Sequence, residues 1–146
     1  MNNIRKAVLD DLSRISEIYI FNYRINFYPI FKDEEFYFKD LQVVNLINTL
    51  KKDLNNIYVY DDHVIKGFIH IDHQEIKKLF VEPVFQNQSI GSKLITFAVK
   101  KFDVNELWAL EKNNQAIAFY QRHGFNQTNI KKLEEGTSEY LVYMKR

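Results

Sequence analysis

The spacing of apolar residues predicts a strand and two helices in the first third of the chain. A short strand over residues 4–8 precedes a helix with Asp10 as its N-cap and apolar residues at helical spacing up to Ile25. Pro29 ends this region, so residues 28–33 are predicted to form a loop or a short irregular turn. A second helix is predicted over residues 34–54.

After residue 56 the apolar period changes to that of β-strands. Residues 57–60 and 64–71 form a predicted hairpin, in which Gly67 indicates a bulge or the close approach of another backbone. A third strand over residues 75–81 is ended by Pro83. The remaining elements are a helix over 89–102, a strand over 107–110, a helix over 113–123, and strands over 125–132 and 140–144.

The predicted order of elements is β-α-α-β-β-β-α-β-α-β-β, within one domain spanning residues 1–146. Strands that follow one another without helices pair antiparallel, whereas the later β-α-β unit requires a parallel crossover. The sequence therefore predicts an α/β (α+β) fold with a mixed, mostly antiparallel sheet flanked by helices.

The amino-acid composition and net charge exclude some classes of binding partner. Apolar residues make up 46% of the chain and charged residues 27%, as in ordinary globular proteins. With 20 Lys+Arg and 19 Asp+Glu the net charge is +1, so no nucleic-acid partner is expected. There is no cysteine for a thiolate nucleophile, and apolar stretches fall short of the ~18 residues that a membrane span needs. We expect a cytoplasmic monomer or homodimer without a membrane partner.

The first segment that carries chemistry is V-x-P-x-F-Q-x-x-S-x-G-x-x-L, over residues 81–94. A strand ends, a polar loop follows, and a helix opens with Gly91 and Ser92 in its first turn. Free N–H groups at a helix start favour a bound phosphate, although an ordinary strand-to-helix connection would have the same pattern. The chain lacks a Walker-type loop, and a dinucleotide fingerprint would need three glycines where only Gly91 is present.

The second segment is N-x-x-A-x-x-F-Y-x-x-x-G-F, over residues 113–125. In this order and on these elements, the two segments resemble the GCN5-related N-acetyltransferase (GNAT) family. The order of elements along the whole chain is also similar to that family's. The resemblance implies a single-domain GNAT fold and an N-acetyltransferase that uses acetyl-CoA as co-substrate, without a metal. It would transfer the acetyl group to a primary amine by direct attack in a ternary complex.

The resemblance also assigns residues. It implies that the strand before the loop is splayed from its neighbour, and that its backbone at Leu79, Phe80 and Val81 pairs with the pantetheine arm. Asn113 and Tyr120 would contact the cofactor, and Tyr120 would protonate the departing thiolate. The alternative for Tyr120 is simple helix packing. The pyrophosphate would lie against the main chain of the loop and helix start, formed by Gln86, Asn87, Gln88, Ser89, Ile90, Gly91 and Ser92.

A base has to remove a proton from the acceptor amine, which is mostly protonated at neutral pH. Glu75, six residues before Val81, has the spacing of the glutamate base in the histone-acetyltransferase branch of the family. The alternatives are that Glu75 is a solvated strand-end carboxylate and that Glu111 is the base. His70 and His73 flank Asp72, but with no third histidine nearby we expect no metal site.

Two departures from the family pattern bear on function. Ser89 stands where the family has a glycine, so the rival hypothesis is a non-catalytic acyl-CoA-binding or sensing module. Trp108 replaces a glutamate of the ribosomal-protein acetyltransferases, which argues against that substrate. The resemblance implies that the region between the first strand and the hairpin roofs the acceptor pocket. Of its aromatic residues, several are expected in the core and a few in the pocket wall: Phe27, Tyr28, Phe31, Phe36 and Tyr37.

Overall fold

A computed structural model describes residues 2–146, whose strands form one seven-stranded sheet. Its spatial order is β1-β2-β3-β4-β5-β7-β6, and only β4 and β5 run parallel. This confirms the predicted mixed, mostly antiparallel sheet. The strands are β1 (Ile4–Lys6), β2 (Ile57–Asp62), β3 (Val64–Asp72), β4 (Glu75–Val81), β5 (Glu106–Leu110), β6 (Asn126–Leu133) and β7 (Tyr140–Lys145).

Helices cover both faces of the sheet. One core cluster packs α1 and α3 against β2 and β3, and the other packs α4 and α5 against β3, β4, β5 and β7. Within residues 2–146, no helix combines the length and apolar character required to cross a bilayer. The helices are α1 (Leu12–Asn26), α2 (Tyr28–Phe31), α3 (Val43–Leu50), α4 (Ile90–Phe102) and α5 (Asn114–Arg122).

The first helix begins later than its sequence predicts. Asp10 was the expected N-cap, but a 3-10 turn (Leu9–Asp11) comes first and α1 starts at Leu12. The carboxylate of Asp11 accepts the Val8 N–H at 2.8 Å and ion-pairs with Arg5 at 2.7 Å. The hydrogen bond from Arg5 lowers the pKa of the Asp11 carboxyl. Asp11 therefore organises the turn, and the Asp10 prediction was wrong.

The second helix is broken rather than continuous. A π-type turn (Phe36–Asp40) is followed by extended backbone at Gln42, by α3 and by a 3-10 segment (Lys51–Asn56). The buried side chains explain the break, because Leu41 and Leu46 are five residues apart and would diverge on one straight helix. The predicted loop before it contains the single turn α2, which has Pro29 near its start.

Gly67 in β3 has the close approach that the sequence indicates. A Cβ at this position would lie 3.0 Å from the carbonyl oxygen of Phe80 and 3.3 Å from Cγ2 of Ile90. Glycine thus lets α4 lie directly on the junction of β3 and β4. This packing places the start of α4 beside the end of β4, where the candidate site begins.

Candidate functional site

β4 and β5 separate soon after they begin. They are paired only at Glu75–Glu106 and Ile76–Leu107, so the rest of β4 has no strand on that side. On its other side β4 pairs with β3, and just after β4 the Glu82 N–H donates to the carbonyl of Lys66 in β3 at 2.8 Å. In an antiparallel pair, the backbone groups of successive residues point alternately towards the partner strand and away from it. Phe80 therefore turns its N–H and C=O groups towards β3, whereas Leu79 and Val81 turn theirs towards the gap. The splayed strand implied by the resemblance is present.

The gap opens into a cavity of about 860 Å³ that is lined by β4, β5, α1, α4, α5 and the β6–β7 turn. Side chains alternate along β4, so the two faces of the strand contribute differently. Leu79 and Val81 pack with the α4 and α5 cluster. Phe80 packs on the α1 side, with its ring centroid 5.8 Å from those of Tyr19 and Tyr23.

A buried amide of α1 fixes the end of β4. Asn22, only 3% exposed, donates from Nδ2 to the Val81 carbonyl at 2.9 Å and to the Ile18 carbonyl at 2.8 Å. Gln86 also donates to the Val81 carbonyl, at 3.2 Å. With this carbonyl occupied, the Val81 N–H and both backbone groups of Leu79 are the polar groups that β4 presents to the gap. Asn22 was not predicted as a site residue, although an amide on an otherwise apolar helical stripe is a visible signal.

The loop between β4 and α4 turns through two left-handed residues, Asn87 (φ 65°) and Ser89 (φ 67°). Ser89 precedes α4, but its hydroxyl does not cap the helix. The amides of Ile90, Gly91 and Ser92 have no partner within the helix, because a helix leaves its first N–H groups unpaired. Loop and helix start both line the cavity. The structure therefore brings the predicted pyrophosphate residues to one end of the gap, with the exception of Gln88, which lies outside the cavity wall.

Replacing Ser89 with glycine is expected to stabilise the protein by about 0.5–1 kcal/mol. A Cβ in the left-handed region costs about 1–2 kcal/mol, and the greater freedom of glycine in the unfolded chain offsets about 0.5–1 kcal/mol of that gain. Urea unfolding of the two proteins measures the difference. A destabilised S89G variant would show that the serine hydroxyl makes a contact that offsets its backbone strain.

Tyr120 lines the same cavity from α5. Asn113 caps this helix by accepting the Ala116 N–H at 3.2 Å, which directs Asn113 Oδ1 to its own helix. The Tyr120 ring packs against Phe119 and Phe125. Burial alone raises the pKa of the Tyr120 hydroxyl, which has no hydrogen-bond partner among residues 2–146. The phenol is therefore protonated at neutral pH and available to a ligand.

Aromatic rings form the far end of the cavity. Tyr19 and Tyr23 stack with centroids 4.4 Å apart and their hydroxyls 2.9 Å apart. Of the five aromatic residues predicted here, Tyr28 alone lies outside the cavity, and its hydroxyl donates to Glu34 at 3.0 Å. Tyr19 and Tyr23 were missed, although their four-residue spacing with Phe27 was visible. The predicted residues that do line the cavity are Phe27, Phe31, Phe36 and Tyr37.

Charged groups of both signs surround these rings. Lys78 Nζ lies 6.0 Å and 5.5 Å from the ring centroids of Tyr19 and Tyr23. Glu134, in the β6–β7 turn, also lines the cavity. Burial, with a smaller contribution from Glu134, raises the pKa of Tyr23 to about 12. Glu134 lies between the last two predicted strands, and no local signal in the sequence marks it as a site residue.

The proposed bases lie away from this site. Glu75 is at the opposite end of β4, about 20 Å along the strand from Val81 at ~3.3 Å per residue, and its partner is Lys77 at 3.8 Å. Glu111 forms an ion pair with Lys131. Neither carboxylate lines the cavity. Their role as a base stays a prediction, for which the geometry gives no support.

His70 and His73, the two histidines considered as metal ligands, have separate carboxylate partners. His70 Nε2 lies 3.7 Å from Asp53, and His73 Nδ1 lies 2.8 Å from Asp72. Over residues 2–146, no three His, Cys, Asp or Glu side chains are grouped to hold a metal ion.

A second cavity of about 670 Å³ adjoins the first, since Ser89 and Ser92 line both. Its wall carries three lysines of α4: Lys93, Lys100 and Lys101. This arrangement gives the region around the helix start a local positive charge that the net charge of +1 conceals.

Comparison with known sequences decides the family. A family model described as an acetyltransferase (GNAT) domain matches residues 53–127. An uncharacterized N-acetyltransferase of Methanocaldococcus jannaschii is 30% identical over 149 aligned positions, which cover 88% of this chain. The chain belongs to the GNAT acetyltransferase family. It spans 62% of the length of that archaeal relative.

Two further comparisons extend the GNAT assignment. The ribosomal protein bS18-alanine N-acetyltransferase of Haemophilus ducreyi is 31% identical over 68% of this chain and 77% of its own length. The PaiA N-acetyltransferase of Thermoplasma acidophilum, solved with coenzyme A, has a TM-score of 0.69 at 22% identity. That alignment covers 98% of each chain and confirms the GNAT fold.

Proposed function

We propose that this GNAT protein is an acetyl-CoA-dependent N-acetyltransferase that transfers the acetyl group to a primary amine within a ternary complex. The observation that carries the proposal is the continuous cavity between β4 and β5. Its wall contains, one after the other, the unpaired amides at the start of α4, the free edge of β4, the Tyr120 hydroxyl and the aromatic rings of the far end. This series offers groups for the phosphates, the pantetheine arm, the thioester sulfur and the acceptor, in that order.

The cofactor would bind mainly through the main chain. The amides of Ile90, Gly91 and Ser92 are suited to the pyrophosphate, with the lysines of the second cavity nearby. The amide-containing pantetheine arm would pair with Leu79 as an added strand. The relative solved with coenzyme A supports this choice of ligand.

The reaction itself needs no covalent enzyme intermediate. The amine nitrogen attacks the thioester carbon while the carbonyl oxygen accepts a hydrogen bond from the Val81 N–H, which stabilises the developing negative charge. The carbon–sulfur bond then breaks, and Tyr120 donates its proton to the thiolate. The proton lost by the amine, carried by water or by a cavity carboxylate, restores the phenol.

Turnover distinguishes this proposal from a non-catalytic acyl-CoA-binding module. Acetyl-CoA at 100 times its Kd should stabilise the folded protein by about 2.7 kcal/mol, and ADP at the same concentration should stabilise it less because ADP lacks the pantetheine arm. In a thiol-release assay, at least one amine of a broad panel should accept the acetyl group. Stabilisation without turnover would favour the binding module, and no stabilisation at millimolar acetyl-CoA would refute both.

The role of Glu75 has its own test. Because its carboxylate lies outside the cavity, E75Q is expected to keep the parental pH–rate profile on the acidic side. The profile of kcat/KM from pH 5 to 9 measures this. Loss of the acidic limb in E75Q would restore Glu75 as the base.

A further inference from the structure

Opposite charges at the aromatic end of the cavity indicate what the acceptor carries besides its amine. We infer that the acceptor is a small zwitterion with an apolar body, of the α-amino acid type, whose carboxylate is bound by Lys78 and whose ammonium is bound by Glu134. This inference rests on the proposed acetyl transfer and names the substrate class of that same cavity.

Lys78 is an unusual cation for this position. Its ammonium lies over the rings of Tyr19 and Tyr23, and among residues 2–146 it forms no ion pair. The neighbouring Lys77, by contrast, pairs with Glu75 at 3.8 Å. Lys78 lies two residues before Phe80 on β4, so both side chains are on the α1 face of the strand, and Lys78 lines the aromatic end of the cavity. A half-buried ammonium held only by aromatic faces is a ready partner for a ligand's anionic group.

Glu134 supplies the opposite charge from another element. It lines the cavity from the β6–β7 turn, and within residues 2–146 its carboxylate accepts a hydrogen bond from the Glu135 N–H at 3.2 Å. It forms no ion pair with Lys78, so the two charges are separated. Both act on the hydroxyl of Tyr19, because Lys78 opposes and Glu134 adds to the rise in its pKa that burial causes. Both charges therefore lie close enough to the Tyr19 phenol to act on it, and both line the same cavity.

A zwitterion matches this arrangement better than a simple cation. A polyamine would bring several ammonium groups towards Lys78, and like charges at close range repel. An amino acid places its carboxylate and ammonium on one carbon, so each group can face its opposite charge. The remaining apolar side chain would lie against the rings of Phe27 and Tyr37, where burial of aromatic surface adds affinity.

The test compares acceptors that differ in one group. L-Phenylalanine carries the carboxylate, phenylalanine amide has it neutralised, and phenethylamine lacks it. With acetyl-CoA in a thiol-release assay, kcat/KM for phenylalanine should exceed that for each of the other two by about tenfold or more, since a hydrogen bond to a charged group contributes about 1.5–3 kcal/mol. Spermidine should be a poor acceptor.

Two variants locate the recognition. K78M keeps the aliphatic stem and should lower kcat/KM for phenylalanine about tenfold while leaving phenethylamine unchanged or improved. E134Q should lower kcat/KM for both. K39M and E35Q make the same chemical changes in an exposed ion pair outside the cavity and should behave like the parent. Thermal stabilisation by acetyl-CoA confirms that each variant is folded and binds the cofactor.

The results separate the two claims. If phenethylamine or spermidine is acetylated as well as phenylalanine, and K78M leaves their ratio unchanged, the inference is overturned while acetyl transfer stands. If phenylalanine is not acetylated but other amines are, the inference again falls alone. If no amine is acetylated, both claims fall.

Discussion

The Y120F variant is expected to lose about 10²–10⁴-fold in kcat, the range found for a general acid. The ring still fills the space against Phe119 and Phe125, and only the hydroxyl is removed. Since burial raises the pKa of Tyr120, the parental enzyme keeps this proton throughout the neutral range. Affinity for acetyl-CoA and the melting temperature should change little. Steady-state kinetics and thermal unfolding of the same preparation measure both quantities.

Y140F is the matched control, because Tyr140 is exposed and outside the cavity wall. It should keep the parental kcat. The opposite result for Tyr120, a destabilised Y120F enzyme with parental turnover, would make the residue a packing element. Water would then be the proton source for the thiolate.

The S89V variant is expected to weaken acetyl-CoA binding by about tenfold or more. Ser89 has φ 67°, and a β-branched side chain is a genuine outlier in this region of backbone conformation. The backbone must shift to relieve it, which moves the amides of Ile90 and Gly91 that would contact the pyrophosphate. Isothermal titration calorimetry with acetyl-CoA measures the effect.

Two further variants separate the backbone from the hydroxyl. S89A keeps the left-handed strain and removes a hydroxyl that caps nothing, so it should bind acetyl-CoA like the parent. S89G relieves the strain and should bind at least as well. Parental affinity in S89V would place the phosphates away from the start of α4.

The sheet was predictable because its strands carry their own signals. The hairpin of β2 and β3 has two runs rich in β-branched and aromatic residues around a short turn, and the structure places it as expected. The break before α3 was not predictable, because helical spacing across residues 34–54 gives no warning that Leu41 and Leu46 must face one core. Tertiary packing determines where the helix predicted over residues 34–54 breaks, and the local apolar pattern does not show it.

The candidate site likewise contains some residues that the sequence could place and others that it could not. The motif residues near α4 and α5 are close in sequence to the elements that present them, and the resemblance to the GNAT family implied their place beside β4. Glu134 and Asn22 are distant in sequence from the residues that they face across the cavity. The amide of Asn22 stands out on an apolar helical stripe, but one sequence does not show which distant residue it contacts. Glu75 shows the converse, since family spacing suggested a base that the strand geometry places far from the gap.

The most direct test of acetyl-CoA binding between β4 and β5 is amide chemical-shift mapping of the 15N-labelled protein. On titration with acetyl-CoA, the largest shifts should fall on Leu79 and Val81 in β4 and on Ile90, Gly91 and Ser92 at the start of α4. The amide of Phe80, which faces β3, should shift less than those of its two neighbours. Shifts confined to other surfaces, with these five amides unmoved, would contradict the account.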